Sequence, residues 1–180
     1  MEEFKYIYRT PSDIDDIVLF SDGEFLTRVM FITENVDVSS FKYTKLPIFE
    51  EMTKWLDIYF DKKNPSFVPK YKISENISSF RKEVFEILLT IPYGETISYK
   101  DIANIIAKKR GLDKMSSQAV GQAVSSNPLP IIIPCHRVIG CNGNLTGYAA
   151  GLNNKVSLLR YESIDSNGFF LPKNIKNKKQ

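Results

Sequence analysis

The chain has 180 residues, 43% of them hydrophobic and 25% charged, with a net charge of +3, the composition of a globular fold of one or two small domains and not of a disordered or fibrous chain. No apolar stretch approaches the roughly 18 residues of a membrane span, and Met1-Glu2-Glu3 lacks the basic start of a secretory leader, so a cytoplasmic setting (nuclear in a eukaryotic host) and no membrane partner are expected. Two cysteines build no disulfide framework, and Cys135, Cys141 and His136 are too few for a structural zinc site, which usually wants four ligands, so no metal is expected.

Residues 4–9 and 17–32 are rich in β-branched and aromatic side chains, and Ser21-Asp22-Gly23-Glu24 interrupts the second run as a hairpin turn does. Two or three antiparallel strands are predicted there. From Leu46 to Phe60, the residues Ile48, Phe49, Met52, Trp55, Leu56, Tyr59 and Phe60 recur at helical spacing, which predicts a helix whose aromatic residues serve the core. Asp61 to Asn76 is rich in Lys, Pro and Asn without periodicity and reads as a linker. The chain then divides into an N-terminal α/β supporting unit, 1–75, and a C-terminal, mainly helical unit, 76–180.

In the second unit, Phe80, Val84, Phe85, Leu88 and Leu89 form one helical stripe with Ser78 or Ser79 as N-cap, ended by Ile91-Pro92-Tyr93-Gly94. A helix from about Ser98 to Lys109, a turn at Arg110-Gly111-Leu112-Asp113 and a helix from about Ser116 to Ser126 follow. Two short helices around a glycine-containing turn resemble a helix-turn-helix, although pattern alone slightly favours a generic helical hairpin. Asn127-Pro128-Leu129-Pro130 stops the third helix, Ile131-Ile132-Ile133 predicts a short buried strand halted by Pro134, and Asn153 to Glu162 predicts a last helix. The basic tail Lys173 to Gln180 is expected to fray.

Cys135 stands directly before His136, the only histidine in the chain. A buried free cysteine is often mere packing. Beside an imidazole it becomes a candidate nucleophile, because the thiolate is the reactive form and a neighbouring base favours it. In extended backbone the two side chains would diverge, so direct contact needs a turn at this point; otherwise a water relays the proton. The imidazole also needs an orienting partner, for which Glu162 is the best sequence candidate. Arg137 fits either a phosphate contact or a structural ion pair, and Cys141 is taken as incidental. Charge is uneven: residues 1–80 carry 10 Lys/Arg against 14 Asp/Glu, and residues 81–180 carry 14 against 7. A basic half fits a polyanionic partner, with nucleic acid the obvious one, or simply a solvated surface.

Ile131-Ile132-Ile133-Pro134-Cys135-His136-Arg137-Val138 closely resembles the active-site signature of the O6-alkylguanine-DNA alkyltransferases, the methylated-DNA–protein-cysteine methyltransferases. Other segments agree in order: Ile91 to Tyr99 is similar to the stretch before the family's first helix-turn-helix helix, Ala119-Val120-Gly121 to its recognition helix, and Asn127-Pro128-Leu129-Pro130 to its asparagine hinge. Gly147-Tyr148 through Gly151-Leu152, then Lys155 to Glu162, are similar to its substrate loop and last helix. The likeness is close over 80–162 and loose over 1–75.

The resemblance implies an α+β fold: a ribonuclease H-like N-terminal sheet with a helix, then a C-terminal winged helix-turn-helix-like unit. It implies a DNA-repair methyltransferase that takes the alkyl group of O6-alkylguanine (and of O4-alkylthymine) onto Cys135 once, irreversibly and without a cofactor. Its partner would be double-stranded DNA, held by a monomer through the minor groove with the damaged base flipped out. His136 would take the thiol proton through water, Glu162 would orient the imidazole, Asn127 would hold the loop near the sulfur, and Tyr99 would protonate the departing guanine. Ser98, Tyr99, Ser117, Gln118, Ala119 and Gly121 would face DNA. Pro130, Val138, Tyr148, Ala149 and Ala150 would form the base pocket, with the carbonyls of Cys135 and Val138 reading the base edge.

Three features depart from the family pattern. Gln118 stands where the family usually places an intercalating arginine, so DNA binding is expected to be weaker or more salt-sensitive, unless Lys108, Lys109, Arg110 and Lys114 compensate. The turn holding those basic residues is longer than usual. Ala149 and Ala150 replace the common Ser or Gly, which removes a hydroxyl contact. Against alkyl transfer stand three other readings. An alkyltransferase-like lesion-binding module would lack the cysteine, a bifunctional regulator would carry further metal-binding cysteines, and a thiol hydrolase would turn over.

Overall fold

A computed structural model describes residues 3–33 and 44–164; the basic tail lies outside the described residues. Three antiparallel strands open the chain in the order β1 (Phe4–Tyr8), β2 (Ile17–Ser21), β3 (Leu26–Phe31), with Tyr8 opposite Ile17 and Ile17 opposite Phe31. The β2–β3 turn is built by short polar side chains: Ser21 Oγ accepts from Gly23 N, and Asp22 Oδ1 accepts from Glu24 N and Phe25 N. Gly23 sits at φ +110°, a conformation that suits a residue without Cβ. The central strand is buried along its whole length. Ile17 and Leu19 join the main core, and Val18 and Phe20 form a second cluster with Ile7 on the opposite face.

Helix α1 (Pro47–Phe60) starts with proline at its first position and buries Phe49, Met52, Leu56 and Tyr59. The segment expected to be a linker has no helix, yet it is bonded to its surroundings. Leu26 donates to Lys70 O and accepts from Lys72 N, and Trp55 Nε1 donates to Phe67 O at 2.8 Å.

Helices α2 (Ser79–Leu89), α3 (Tyr99–Arg110) and α4 (Ser117–Ser125) follow, each behind a serine N-cap, Ser78, Ser98 and Ser116 in turn. Ser98 and Asp101 complete a reciprocal capping box, and Gly111 ends α3 in the left-handed region at φ +65°. The predicted helices thus form within a residue or two of their expected ends. The last, α5 (Leu152–Tyr161), ends one residue before Glu162, which is its C-cap residue.

One expectation fails. Residues 131–133 form no strand: Ile131 sits at φ +74° and the chain turns there, with Ile133 N bonded to Leu129 O. Pro134, at φ −80° and ψ 63°, makes a second tight turn in which Cys135 N donates to Ile133 O at 2.7 Å. The strand in this region is β5 (Val138–Ile139), which pairs in parallel with β4 (Ile97–Ser98). An apolar run alone does not tell a strand from a buried turn.

One buried cluster unites the two sequence units, from Leu19 and Leu56 to Phe85, Ile133 and Leu158. Polar ties reinforce it: Val29 N donates to Pro128 O, Ser157 Oγ to Asp13 O, and Asn154 Nδ2 to Asp15 Oδ2. Among the described residues, no helix is long and apolar enough to cross a membrane.

Candidate active site

The two turns around Pro134 deliver Cys135, His136 and Arg137 as one 3-10 turn. The His136 and Arg137 side chains, which would diverge along a strand, thereby both reach Glu162 at the C-terminal end of α5. Cys135 is 5% exposed, His136 0% and Glu162 2%.

Glu162 is the hub. Its Oε1 contacts His136 Nε2 at 2.6 Å, accepts from Tyr59 Oη at 2.9 Å and from Arg137 Nη2 at 3.0 Å. Its Oε2 accepts from Arg137 Nε at 2.8 Å and Gly94 N at 3.1 Å. Burial pushes its carboxyl up, but the bonds and charges of His136 and Arg137 more than offset this and hold it down at about 2. Arg137 is therefore the structural ion pair of its two sequence readings; its Nη1 also donates to Ile91 O.

An ionised carboxylate can only accept, so the hydrogen-bond network assigns the proton to His136 Nε2. Burial, with Arg137 and Lys155 nearby, lowers the imidazole's affinity for a second proton despite Glu162. Nδ1 is then the basic nitrogen, and it is buried without a hydrogen-bond partner. Burial also raises the Cys135 thiol, opposed by Asn127, Tyr148, Lys155 and the cysteine's own amide. The resting pair is a neutral thiol beside a neutral imidazole.

Asn127 behaves as a clamp: its Nδ2 donates to Ile133 O at 2.8 Å and its Oδ1 accepts from Leu129 N at 2.9 Å. Tyr99 opens α3 with its hydroxyl raised by burial first and by Cys135 second. Tyr148 places a buried hydroxyl against the thiol without forming a hydrogen bond of ordinary geometry. Lys155, fully buried, donates to Val138 O at 2.6 Å and Thr146 O at 3.3 Å, and desolvation brings it down to about 8.

Cys135 opens onto a cleft of about 970 Å³. Ser117, Gln118 and Gly121 line it from α4, Tyr148 to Ala150 from the following loop, and Tyr99, Asn127 and Pro130 between them. His136 and Glu162 are buried and do not line the cleft. Ser98, Ala119 and Val138 are not brought to the wall. The Ser98 hydroxyl is committed to Asp101, the Cys135 carbonyl accepts from Val138 N, and the Val138 carbonyl accepts from Lys155. Each carbonyl keeps a second lone pair.

The basic turn is largely spent on structure. Arg110 pairs with Glu83 at 2.7 Å over the Phe80 ring, and Lys109 lies 3.5 Å from the same carboxylate. The expected compensation by Lys109 and Arg110 is therefore reduced, because their charge is already matched.

Two contributions escaped the sequence reading. The cleft's far wall is β3, through Val29, Met30 and Phe31. Tyr59 reaches Glu162 from α1; its stripe read as core, although a buried tyrosine hydroxyl usually takes a partner.

Residues 79–164 match the family model described as 6-O-methylguanine DNA methyltransferase, DNA binding domain. The chain is 40% identical over 153 residues to a methylated-DNA–protein-cysteine methyltransferase of Methanosarcina acetivorans, covering 84% of this chain and 94% of that one. A protein of the same name from Mycobacterium leprae is 38% identical over 154 residues, 84% of this chain and 88% of that one. The fold is similar to the crystal structure of Mycobacterium tuberculosis O6-methylguanine methyltransferase (TM-score 0.73, 34% identity, 89% and 93% of the two chains). It is also similar to Mycobacterium tuberculosis OGT in complex with DNA (TM-score 0.70, 34% identity, 90% and 92%).

Proposed function

The chain belongs to the methylated-DNA–protein-cysteine methyltransferase family, and from that premise we propose that it repairs DNA by moving the alkyl group of O6-alkylguanine, and of O4-alkylthymine, onto Cys135 in a single turnover. The observation that carries this reading is the Cys135–His136–Glu162 arrangement: a cleft-facing thiol beside a buried imidazole whose Nδ1 is free and whose Nε2 is held by a carboxylate.

In this reading the damaged base is flipped from the minor groove of duplex DNA into the cleft. The thiol proton passes through a water to His136 Nδ1. The sulfur attacks the alkyl carbon, the S–C bond forms, and the C–O bond to guanine breaks. Tyr99 gives its proton to the departing guanine and recovers one from the imidazolium, so protons balance. The thioether is stable, so each molecule acts once and needs no cofactor. The protein works as a monomer in the cytoplasm (the nucleus in a eukaryote), with 76–180 carrying Cys135, His136 and Glu162 and 1–75 as a supporting unit that also supplies the β3 wall of the cleft and Tyr59. Ser98, Ser117, Gln118, Ala119 and Gly121 face the DNA, and Pro130, Tyr148, Ala149 and Ala150 the base, while the buried Val138 has only its carbonyl's second lone pair to offer.

The test is to incubate the protein with duplex DNA containing O6-methylguanine and map the peptide masses. One methyl group on the Cys135 peptide, saturating at one equivalent, is expected. An unmodified Cys135 in a protein that still binds the lesion tightly would instead favour the lesion-binding module.

Gln118 is exposed on α4 and lines the cleft without charge. Gln118→Arg is expected to tighten binding to lesion DNA about tenfold and to steepen the log–log salt slope by about one, since one more phosphate neighbour is neutralised. A salt titration with an unchanged slope and affinity would count against Gln118 as the residue that enters the DNA stack.

A further inference from the structure

We propose that Tyr59, on α1, is a positioning residue for alkyl transfer: its hydroxyl holds the same Glu162 oxygen that holds His136, and so sets how firmly the imidazole is tied and how readily Nδ1 takes the thiol proton. The transfer step it serves is that of the proposed function above.

The geometry is specific. Tyr59 is fully buried. Its ring stacks on Trp55 at 5.5 Å and meets Phe60, Tyr93 and His136 edge to face at 5.4, 6.1 and 6.5 Å. The hydroxyl has one proton to give and three neighbours: Glu162 Oε1 at 2.9 Å, Leu158 O at 3.4 Å and His136 Nε2 at 3.4 Å. The shortest contact is also the charge-assisted one, so the proton goes to the carboxylate. Filling this volume needs only a phenylalanine. A buried phenol must recover its desolvation cost through a partner, and here the partner is the oxygen that orients the base.

Oε1 thus serves Tyr59, His136 and Arg137 together. Each donor withdraws electron density from the oxygen and weakens its hold on the others. With the Tyr59 hydroxyl removed, Oε1 becomes a stronger acceptor toward Nε2–H, and a stronger acceptor stabilises the imidazolium. The other charged groups acting on the imidazole are unchanged: Glu162 and Lys155 from the α5 segment and Arg137 in its own turn. Burial, and then Glu162, keep the Tyr59 hydroxyl protonated far above neutrality. It is therefore a constant donor while His136 titrates.

His136 is the chain's only histidine, so its imidazole resonances can be followed without assignment ambiguity and without any transfer reaction. The experiment compares full-length wild type, Tyr59→Phe and a packing control, Phe60→Leu. It reads the His136 titration by NMR and the single-turnover transfer rate across pH.

Tyr59→Phe is expected to raise the His136 midpoint by roughly half to one pH unit and to shift the acid limb of the rate profile by the same amount. Its rate should converge with wild type at alkaline pH. Phe60→Leu should lower the melting temperature and leave both midpoints in place. A Tyr59→Phe titration superimposed on wild type overturns the proposal, and so does a rate loss uniform across pH. If Tyr59→Phe does not fold, 3-fluorotyrosine at position 59, a stronger donor of the same shape, must move the midpoint down; no movement overturns the proposal. A wild-type protein that transfers nothing, while the Tyr59→Phe midpoint still moves, would sink the alkyl-transfer reading and leave the Tyr59–His136 coupling standing.

Discussion

Glu162→Gln is expected to destabilise the protein by about 3–5 kcal/mol and to slow alkyl transfer by about a hundredfold or more. The carboxylate accepts from Tyr59, Gly94 and Arg137 and meets His136 Nε2. An amide turns one of its two acceptors into a donor facing donors. It also leaves the Arg137 guanidinium, whose side chain is 11% exposed, without its counter-charge. The imidazole loses the partner that keeps its proton on Nε2, so Nδ1 is no longer reliably the free base.

The same carboxylate imposes an acid dependence on the wild type. Its folded pKa, about 2, lies below the ordinary glutamate value of 4.5. Stability from this group is therefore fully present above about 4.5 and is lost as pH falls toward 2, because the unfolded chain binds the proton first. His136, whose affinity is also lowered on folding, adds a loss in the same direction that begins higher, as pH falls below the ordinary histidine range. Denaturant titrations across pH check both points: wild type should lose stability through the acid range, and Glu162→Gln should lose less there. Equal acid slopes, or a variant as stable as wild type at neutral pH, would refute the hub role.

Cys135→Ala is expected to abolish transfer completely while changing stability by no more than about 1 kcal/mol. The removed atom is small, and neither the Asn127 clamp nor the Glu162 hub bonds through it. The variant should still bind duplex DNA containing O6-methylguanine, which separates the chemical step from recognition. Cys141 makes this test sharper. It is exposed and lines the same cleft, whereas Cys135 is buried with Asn127, Tyr148 and Lys155 acting on its thiol. Peptide mapping of Cys135→Ala should find no methyl group on Cys141. Methylation there would mean that proximity to the cleft, not the surroundings of Cys135, creates the nucleophile.

Much of the architecture was legible because it depends on local signals. Serines before apolar stripes cap α2, α3 and α4, Asp22-Gly23 turns the β2–β3 hairpin, and the spacing from Ile48 to Phe60 defines α1. The three isoleucines before Pro134 misled, because a run of buried apolar residues satisfies a strand and a buried turn equally. The left-handed Ile131 and the parallel β4–β5 pair depend on distant packing.

The Cys135–His136 pair and the family likeness were legible in the sequence alone, since rare reactive residues and short ordered motifs survive as a linear pattern. The tertiary structure decided everything that requires two distant segments to meet. It turned Arg137 toward Glu162 and committed Arg110 to Glu83. It seated Lys155 against Val138, placed β3 along the cleft, and brought the Tyr59 hydroxyl to the carboxylate behind the histidine. The physical reason is desolvation: a charged or hydroxyl group buried by packing must take whichever partner the fold places within reach, and no spacing along the chain encodes that choice.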